Sequence, residues 1–336
     1  MPVIYLTDQG AMAHKKGERL IVEKKSDVIL DIPLIHVEQL VVMGNVQLSA
    51  ALITQLLLQE VDVAFFSSYG KYRGRLTPPA LGFAQLRHRQ YQVLGNPQTA
   101  LPIAKQAIQA KLANQRRTLG RLAATAGSQV QATVIRATQT MQGIEGQVSA
   151  ARDLDSLRGY EGSGAAAYFG GLKDLLPPGW GFNGRQYRPP PDAVNAALSF
   201  GYALLQSAVL GMVNLVGFDP YLGFFHTIDY NRPSLALDLM EEFRPVVVDA
   251  IVAPLFLRNQ FTAQDFRREP GAKPGVYLVE DGRRRLIEAH EKQMATPVPY
   301  PRKKETTALR RVIEEQARHL ANVVLGEAGS YQGYEA

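Results

Sequence analysis

Cysteine is missing from this chain altogether, which excludes disulfides, thiol catalysis and cysteine-ligated zinc in one step. No GxxxxGK[ST], GxGxxG or HExxH motif occurs, so ATP-driven, dinucleotide-dependent and zincin readings lose their main supports. Internal repeats are absent too. The opening MPVIYLTDQG has no basic region followed by an apolar one, so no signal peptide is expected and the expected location is cytoplasmic. The most telling shortage is of acid. From Val63 to Ile144 there is no Asp or Glu, while Lys71, Arg73, Arg75, Arg87, Arg89, Lys105, Lys111, Arg116, Arg117, Arg121 and Arg136 all fall in that stretch.

A field of one sign attracts a polyanion, and nucleic acid is the commonest one in the cytoplasm. Such phosphate contacts hold and orient DNA or RNA without reading its sequence. The bland alternative is a solvated basic surface. The 336 residues, 46% hydrophobic and 20% charged, suffice for a sizeable core and predict two domains.

VIYLT, ERLIVEK, DVILDIPL and VEQLVVMG are short Val/Ile/Leu runs separated by turn residues, as β-strands are. Leu48, Leu52, Leu56 and Leu57 repeat at helical spacing, VDVAFFS returns to a strand, and GKYRGRL reads as another extended piece. These predict a small β-sandwich or curled sheet with one helix packed on it. Pro78 and Pro79 mark a boundary. Beyond them LGFAQLRHRQYQVLG and TALPIAKQAIQAKLANQRRTLGRLAATA predict long amphipathic helices with a basic outer side. PPGWGFNGRQYRPPP is a Pro/Gly loop. Residues 193–218 carry no charge; Asn195, Ser199, Gln206, Ser207 and Asn214 punctuate them, which favours a buried central helix over a membrane span. GVYLVEDGRRRLIEAHE predicts a hairpin turning at Asp281-Gly282, with Arg283, Arg284 and Arg285 exposed to phosphate. A last amphipathic helix, about 306–325, precedes a Gly-rich tail expected to fray.

Two stretches carry chemistry. In GFDPYLGFFHTIDYNRPSLALDLMEEFRPVVVD, His226 sits among aromatics, and Asp238 and Glu241 stand three apart on a predicted helix. One imidazole with one or two carboxylates suits a hard divalent cation, Mg²⁺ or Mn²⁺. A lone His beside aromatics is more often a core or edge residue, and Asp238 and Glu241 opposite the apolar stripe of Ala236, Leu239, Met240, Phe243, Val247 and Ile251 also describe a solvated face. In LDSLRGYEGSGAAAYFGGL, Glu161 shares a helical stripe with Leu154, Leu157, Gly164 and Tyr168. A carboxylate withdrawn from water needs a partner, a proton or a metal. An ion pair with Arg158 is the alternative.

Assembled, these pieces resemble the CRISPR-associated adaptation endonuclease and integrase family over nearly the whole chain. The matching segments are RGYEGSGAAAYF around Glu161, PPPDAVNAALSFGYALL with Asn195 and Tyr202, GFDPYLGFFH ending at His226, and SLALDLMEEFRP with Asp238 and Glu241. The resemblance implies an α+β chain: a β-sandwich-like dimerisation domain, residues 1–78, before a larger all-α catalytic domain, residues 79–336. It implies metal ligation by Glu161, His226 and Glu241, with Asp238 as an accessory acid. The implied activity joins the 3′ ends of short DNA fragments into a CRISPR array by transesterification, and cleaves DNA, branched DNA in particular. The implied assembly is a homodimer, two of which are bridged by the small ferredoxin-like second CRISPR adaptation protein. His226 must be neutral to ligate, so activity is expected to fall below about pH 6. The alternatives are a structure-specific nuclease of DNA repair and a non-catalytic DNA-binding scaffold.

Overall fold

The computed structural model describes residues 3–68, 72–76, 83–186, 189–270 and 274–336. The chain divides into two compact units, Met1–Gly82 and Phe83–Ala336.

In the first unit, eight short strands and one helix follow in order: β1 (Val3–Leu6), β2 (Met12–Lys16), β3 (Arg19–Lys24), β4 (Asp27–Pro33), β5 (Gln39–Met43), β6 (Gln47–Leu48), α1 (Ala50–Leu58), β7 (Asp62–Phe66) and β8 (Tyr72–Leu76). They form two four-stranded sheets, β1-β5-β7-β8 and β4-β3-β2-β6. In the first sheet β1, β5 and β7 run parallel and β8 closes it antiparallel. Its central strand β5 reads as an unbroken apolar run and is buried on both faces, as parallel strands are. Leu20 and Val22 of one sheet, Leu40 and Val42 of the other and Leu52 and Leu56 of α1 share one core. Each such side chain removed from water stabilises the unit by roughly 1.5–3 kcal/mol. The edge strand β4 leaves Val28 and Ile29 exposed.

The second unit is mostly helical: α2 (Ala84–Leu94), α3 (Pro97–Ala123), α4 (Ser128–Val148), α5 (Leu154–Leu175), α6 (Ala193–Val216), α7 (Ser234–Met240), a π-helical stretch Arg244–Asp249, and α8 (Ala250–Leu257). Then come β9 (Phe266–Glu269), β10 (Gly275–Leu278), α9 (Glu280–Met294), β11 (Pro297–Tyr300), β12 (Glu305–Ala308) and α10 (Leu309–Leu325). The antiparallel pairs β9/β10 and β11/β12 are additions to the helical domain that the sequence implied.

Small residues set the helix spacing. A Cβ on Gly171 of α5 would lie 2.8 Å from Leu119 Cδ2 of α3 and 3.1 Å from Ala137 Cβ of α4. One on Gly164, two turns earlier, would collide with Leu112. The pair lets α5 approach α3 closely enough for polar side chains to meet across the seam. The uncharged segment forms α6, which is long and apolar enough to cross a membrane, but two thirds of its most apolar window is buried (67%), as in a core helix. Gly217 ends it in the left-handed region (φ +99°), where the Phe83 ring leaves no room for a Cβ.

Two expectations fail locally. The segment 275–291 is no hairpin, because only Gly275–Leu278 is strand and Glu280 opens α9. Glu280 and Asp281 favour a helix N-terminus, and Gly282 packs against the Asp265 carbonyl, so the Asp-Gly pair sits inside a first turn. The C-terminal tail does not fray either: Tyr331 and Tyr334 are buried.

Candidate active site

Asp238 builds the corner that carries His226. Its Oδ2 accepts the backbone N–H groups of Phe224 (2.6 Å) and Phe225 (2.8 Å), and its Oδ1 accepts that of His226 (2.9 Å). The same Oδ1 lies 2.5 Å from His226 Nδ1. A buried carboxylate thus takes three main-chain donors and an imidazole at once. Gly223 makes this possible, since a Cβ there would meet the Asp238 carboxylate and stand 2.8 Å from the Ser234 carbonyl carbon. With Nδ1 committed to Asp238, Nε2 presents its lone pair, 3.8 Å from Glu241 Oε1.

The carboxylates arrive from separate elements. Glu161 projects from α5, and Glu241 follows the end of α7, where Pro245 lacks an N–H and the helix loosens into the π-helical stretch. Lys111 of α3 joins them, its ammonium in contact with Glu161 Oε1 and 2.6 Å from Glu241 Oε2. That second contact is an ion pair without hydrogen-bond geometry. Side-chain exposure is 25% for His226 and 24% for Glu161 against 5% for Glu241, so the group opens to solvent on the His226 and Glu161 side.

Arg244 completes the electrostatics. Its Nη2 lies 3.1 Å from Glu241 Oε1, and its guanidinium stacks 5.1 Å from the centre of the Tyr202 ring. Burial opposes ionisation of Glu241, but Arg244, Lys111 and His226 outweigh it and hold the carboxyl well below its usual range. Burial likewise opposes the charge on Lys111, and Glu241 and Glu161 overcome it, raising the amine. Behind this layer Asp249 accepts Tyr202 Oη–H (2.6 Å) and Tyr168 Oη–H (3.0 Å). Buried among mainly neutral donors, it is pushed up to about 6.

Among the described residues, no three His, Cys, Asp or Glu side chains gather tightly enough to hold a metal ion as they stand. The donor chemistry nonetheless fits a hard divalent cation. Two carboxylates face one another across the lysine, with an imidazole beside them and a third carboxylate fixing that imidazole from behind.

Of the four acidic or imidazole residues singled out in the sequence, Glu161, His226 and Glu241 meet here and Asp238 stands behind His226. Asp238 and Glu241 do not form a solvated face; both are buried. Arg158 does not pair with Glu161 but contacts Asp155 and donates to the Phe225 carbonyl (2.6 Å).

The basic residues separate into groups. Arg73, Arg89, Arg117 and Arg284 are exposed, although Arg117 lies 2.7 Å from Glu335 and Arg284 3.5 Å from Glu280. Lys105 donates to the Ser149 carbonyl, Arg116 pairs with Glu145, Arg87 donates to the Gly217 carbonyl, and Arg285 pairs with Asp265. Arg283 of α9 donates to the Leu278 carbonyl instead of projecting from a turn. Arg75 is half-buried and paired with Asp62, and Lys111 is buried between two carboxylates, so both are committed inside the protein. Lys71 lies outside the described residues.

Sequence reasoning missed Arg244, Gly223 and the role of Lys111. An arginine three residues beyond Glu241, on the same helical side, was the available signal for the first. Nothing in the sequence marked the other two, because both act across long sequence separations.

The family model described as CRISPR associated protein Cas1 matches residues 4–292. A CRISPR-associated endonuclease Cas1 of Thermus thermophilus is 39% identical over 327 residues, covering 96% of either chain. A chain of a Cas6-RT-Cas1–Cas2 complex superposes with a TM-score of 0.83 at 25% identity, over 99% of this chain and 36% of that one. A casposase bound to an integration product has the same fold, with a TM-score of 0.82 at 21% identity over 100% of this chain and 95% of that one.

Proposed function

Since this chain belongs to the CRISPR-associated Cas1 family, we infer that it is an endonuclease and integrase of CRISPR adaptation, joining the 3′ ends of short DNA fragments into the CRISPR array by transesterification. The observation that carries this reading is that Glu161 and Glu241, from separate parts of the second unit, share Lys111, with His226 Nε2 3.8 Å from Glu241.

In this reading Glu161, Glu241 and His226 Nε2 hold a divalent cation, Mg²⁺ or Mn²⁺. Bound there, such a cation would supply Lewis-acid polarisation of the scissile phosphate and of its leaving 3′-oxygen. Asp238 keeps the proton on His226 Nδ1 and the imidazole aimed outward. Arg244 offsets the negative charge of the carboxylates, so that a phosphodiester is not repelled. The exposed arginines Arg73, Arg89, Arg117 and Arg284 are candidates for a sequence-tolerant grip on duplex DNA. Val28, Ile29 and Ile35 leave apolar surface exposed on the first unit, which suits homodimerisation through that unit. The likeness to a chain of a Cas1–Cas2 complex supports assembly with the second adaptation protein.

The test is Glu161→Ala, with a 3′-hydroxyl DNA fragment and a supercoiled plasmid carrying an array. Strand transfer is expected to fall by at least roughly a thousandfold while fragment binding in a gel-shift assay is kept. Unchanged transfer would leave a DNA-binding scaffold, and cutting of branched DNA without joining would leave a repair nuclease.

A further inference from the structure

Lys111 is an uncommon neighbour for two metal-binding acids. It comes from α3, its side chain is 7% exposed, and its ammonium touches one carboxylate from α5 and another from beyond α7. We propose that Lys111 is a resident counter-cation that stands in for the divalent ion between Glu161 and Glu241 and is displaced when that ion binds. This rests on the metal reading above and deepens it.

The physical reasons are charge and space. Glu241 is buried, and a buried carboxylate without a compensating cation is strongly destabilising. Arg244 offsets it from the Oε1 side and Lys111 from the Oε2 side. An ion ligated by Glu161 and Glu241 needs the space between their oxygens, which the ammonium now fills. A monovalent and a divalent cation within a few ångströms of each other repel strongly in a poorly solvated site, so the two occupants exclude one another.

A lysine suits exchange better than an arginine would. Its amine is a point charge on a flexible four-carbon stem, without the fixed fork that would lock two carboxylates in place. The partly exposed Glu161 side gives it somewhere to go. Lys111 is therefore a positioning residue: it holds the two acids together in the metal-free protein and sets how tightly metal is held.

The experiment uses the full chain and Mn²⁺ alone. Lys111→Met is expected to lower the melting temperature of the chelator-treated protein, and to tighten Mn²⁺ binding in calorimetry by roughly tenfold, the scale of coupling between charges in one network. Equal or weaker Mn²⁺ binding by the variant would overturn the proposal, since a merely structural lysine would loosen the site. A wild-type measurement stands beside it in case the variant fails to fold. Reductive methylation of Lys111, followed by mass spectrometry, is expected to speed up severalfold at saturating Mn²⁺, and an unchanged rate would also overturn the proposal. The metal reading fails separately, and takes this inference with it, if Glu161→Ala and His226→Ala leave Mn²⁺ affinity at its wild-type value.

Discussion

Glu241 and Glu242 are neighbours in sequence, both buried, and opposite in chemistry. Glu241 turns toward Arg244 and Lys111, and these cations hold it ionised against the cost of burial. Glu242 turns the other way and meets only neutral donors: Tyr331 Oη–H, Gln316 Nε2–H (3.0 Å) and the backbone N–H of Tyr334. Burial raises it to about 7, against an ordinary value of 4.5, and the three hydrogen bonds do not cancel that rise. One peptide bond thus separates a charged face, suited to a cation and a phosphodiester, from a neutral face that anchors the C-terminal tail. Burial alone pushes a carboxyl toward its proton; the cations placed around it decide whether it becomes a ligand.

The sharpest way to break this contrast is to neutralise each acid in turn. Glu241→Gln should cost strand transfer at least roughly a thousandfold, whereas Glu242→Gln should keep it within about tenfold and act mainly on stability. Assaying both variants at one Mn²⁺ concentration checks this, and equal losses would erase the distinction between the faces.

Next in size is the support behind the charged face. Gly223→Ala should push the Asp238 carboxylate off the Phe224, Phe225 and His226 amides. If His226 is a ligand as proposed, displacing the carboxylate that orients it is expected to weaken Mn²⁺ binding by roughly 10–100-fold, measured by calorimetry.

On the neutral face, Tyr331 and Tyr334 are buried, and Tyr334 stacks on Phe243 with ring centres 5.5 Å apart. Removing residues 331–336 should cost about 3 kcal/mol of unfolding free energy, read in urea titrations.

The smallest effect is a pH dependence of the chelator-treated protein. Glu242 and, among its tyrosines, Asp249 (about 6, against 3.8) both have raised values in the folded state. The folded chain binds these protons more tightly, so stability is fully present below the unfolded values and is lost as pH rises through the folded ones. Each group contributes at most about 3 kcal/mol. These two groups should therefore lower the melting temperature between pH 4 and pH 8, partly offset by His319, which burial holds down at about 4 and which favours folding as pH rises, with Asp249→Asn flattening the lower part of the fall and Glu242→Gln the upper.

Much of this was legible before any coordinates. Glu161 and His226 stood out because each placed a polar, metal-capable group in an apolar or aromatic setting, Glu241 because it stands three residues from Asp238 on a predicted helix, and the uncharged run announced α6. What stayed hidden depends on distant segments meeting. The sequence placed Lys111 in a basic stretch, and only the close approach of α5, permitted by Gly164 and Gly171, turns it inward toward Glu161. The Gly-rich tail looked frayed because nothing local shows that Asn114 brackets it through the Tyr334 carbonyl and the Ala336 amide. Asp281-Gly282 misled because a turn-forming pair is equally at home in the first turn of a helix whose N-terminal acids meet the dipole.

The most direct measurement is the anomalous scattering of Mn²⁺ in crystals of the whole chain. A single ion is predicted at about 2.0–2.3 Å from oxygens of Glu161 and Glu241 and from Nε2 of His226, with the Lys111 amine moved away from between the two carboxylates. An ion bound elsewhere, with Glu161 and Glu241 still closed around Lys111, would contradict the account.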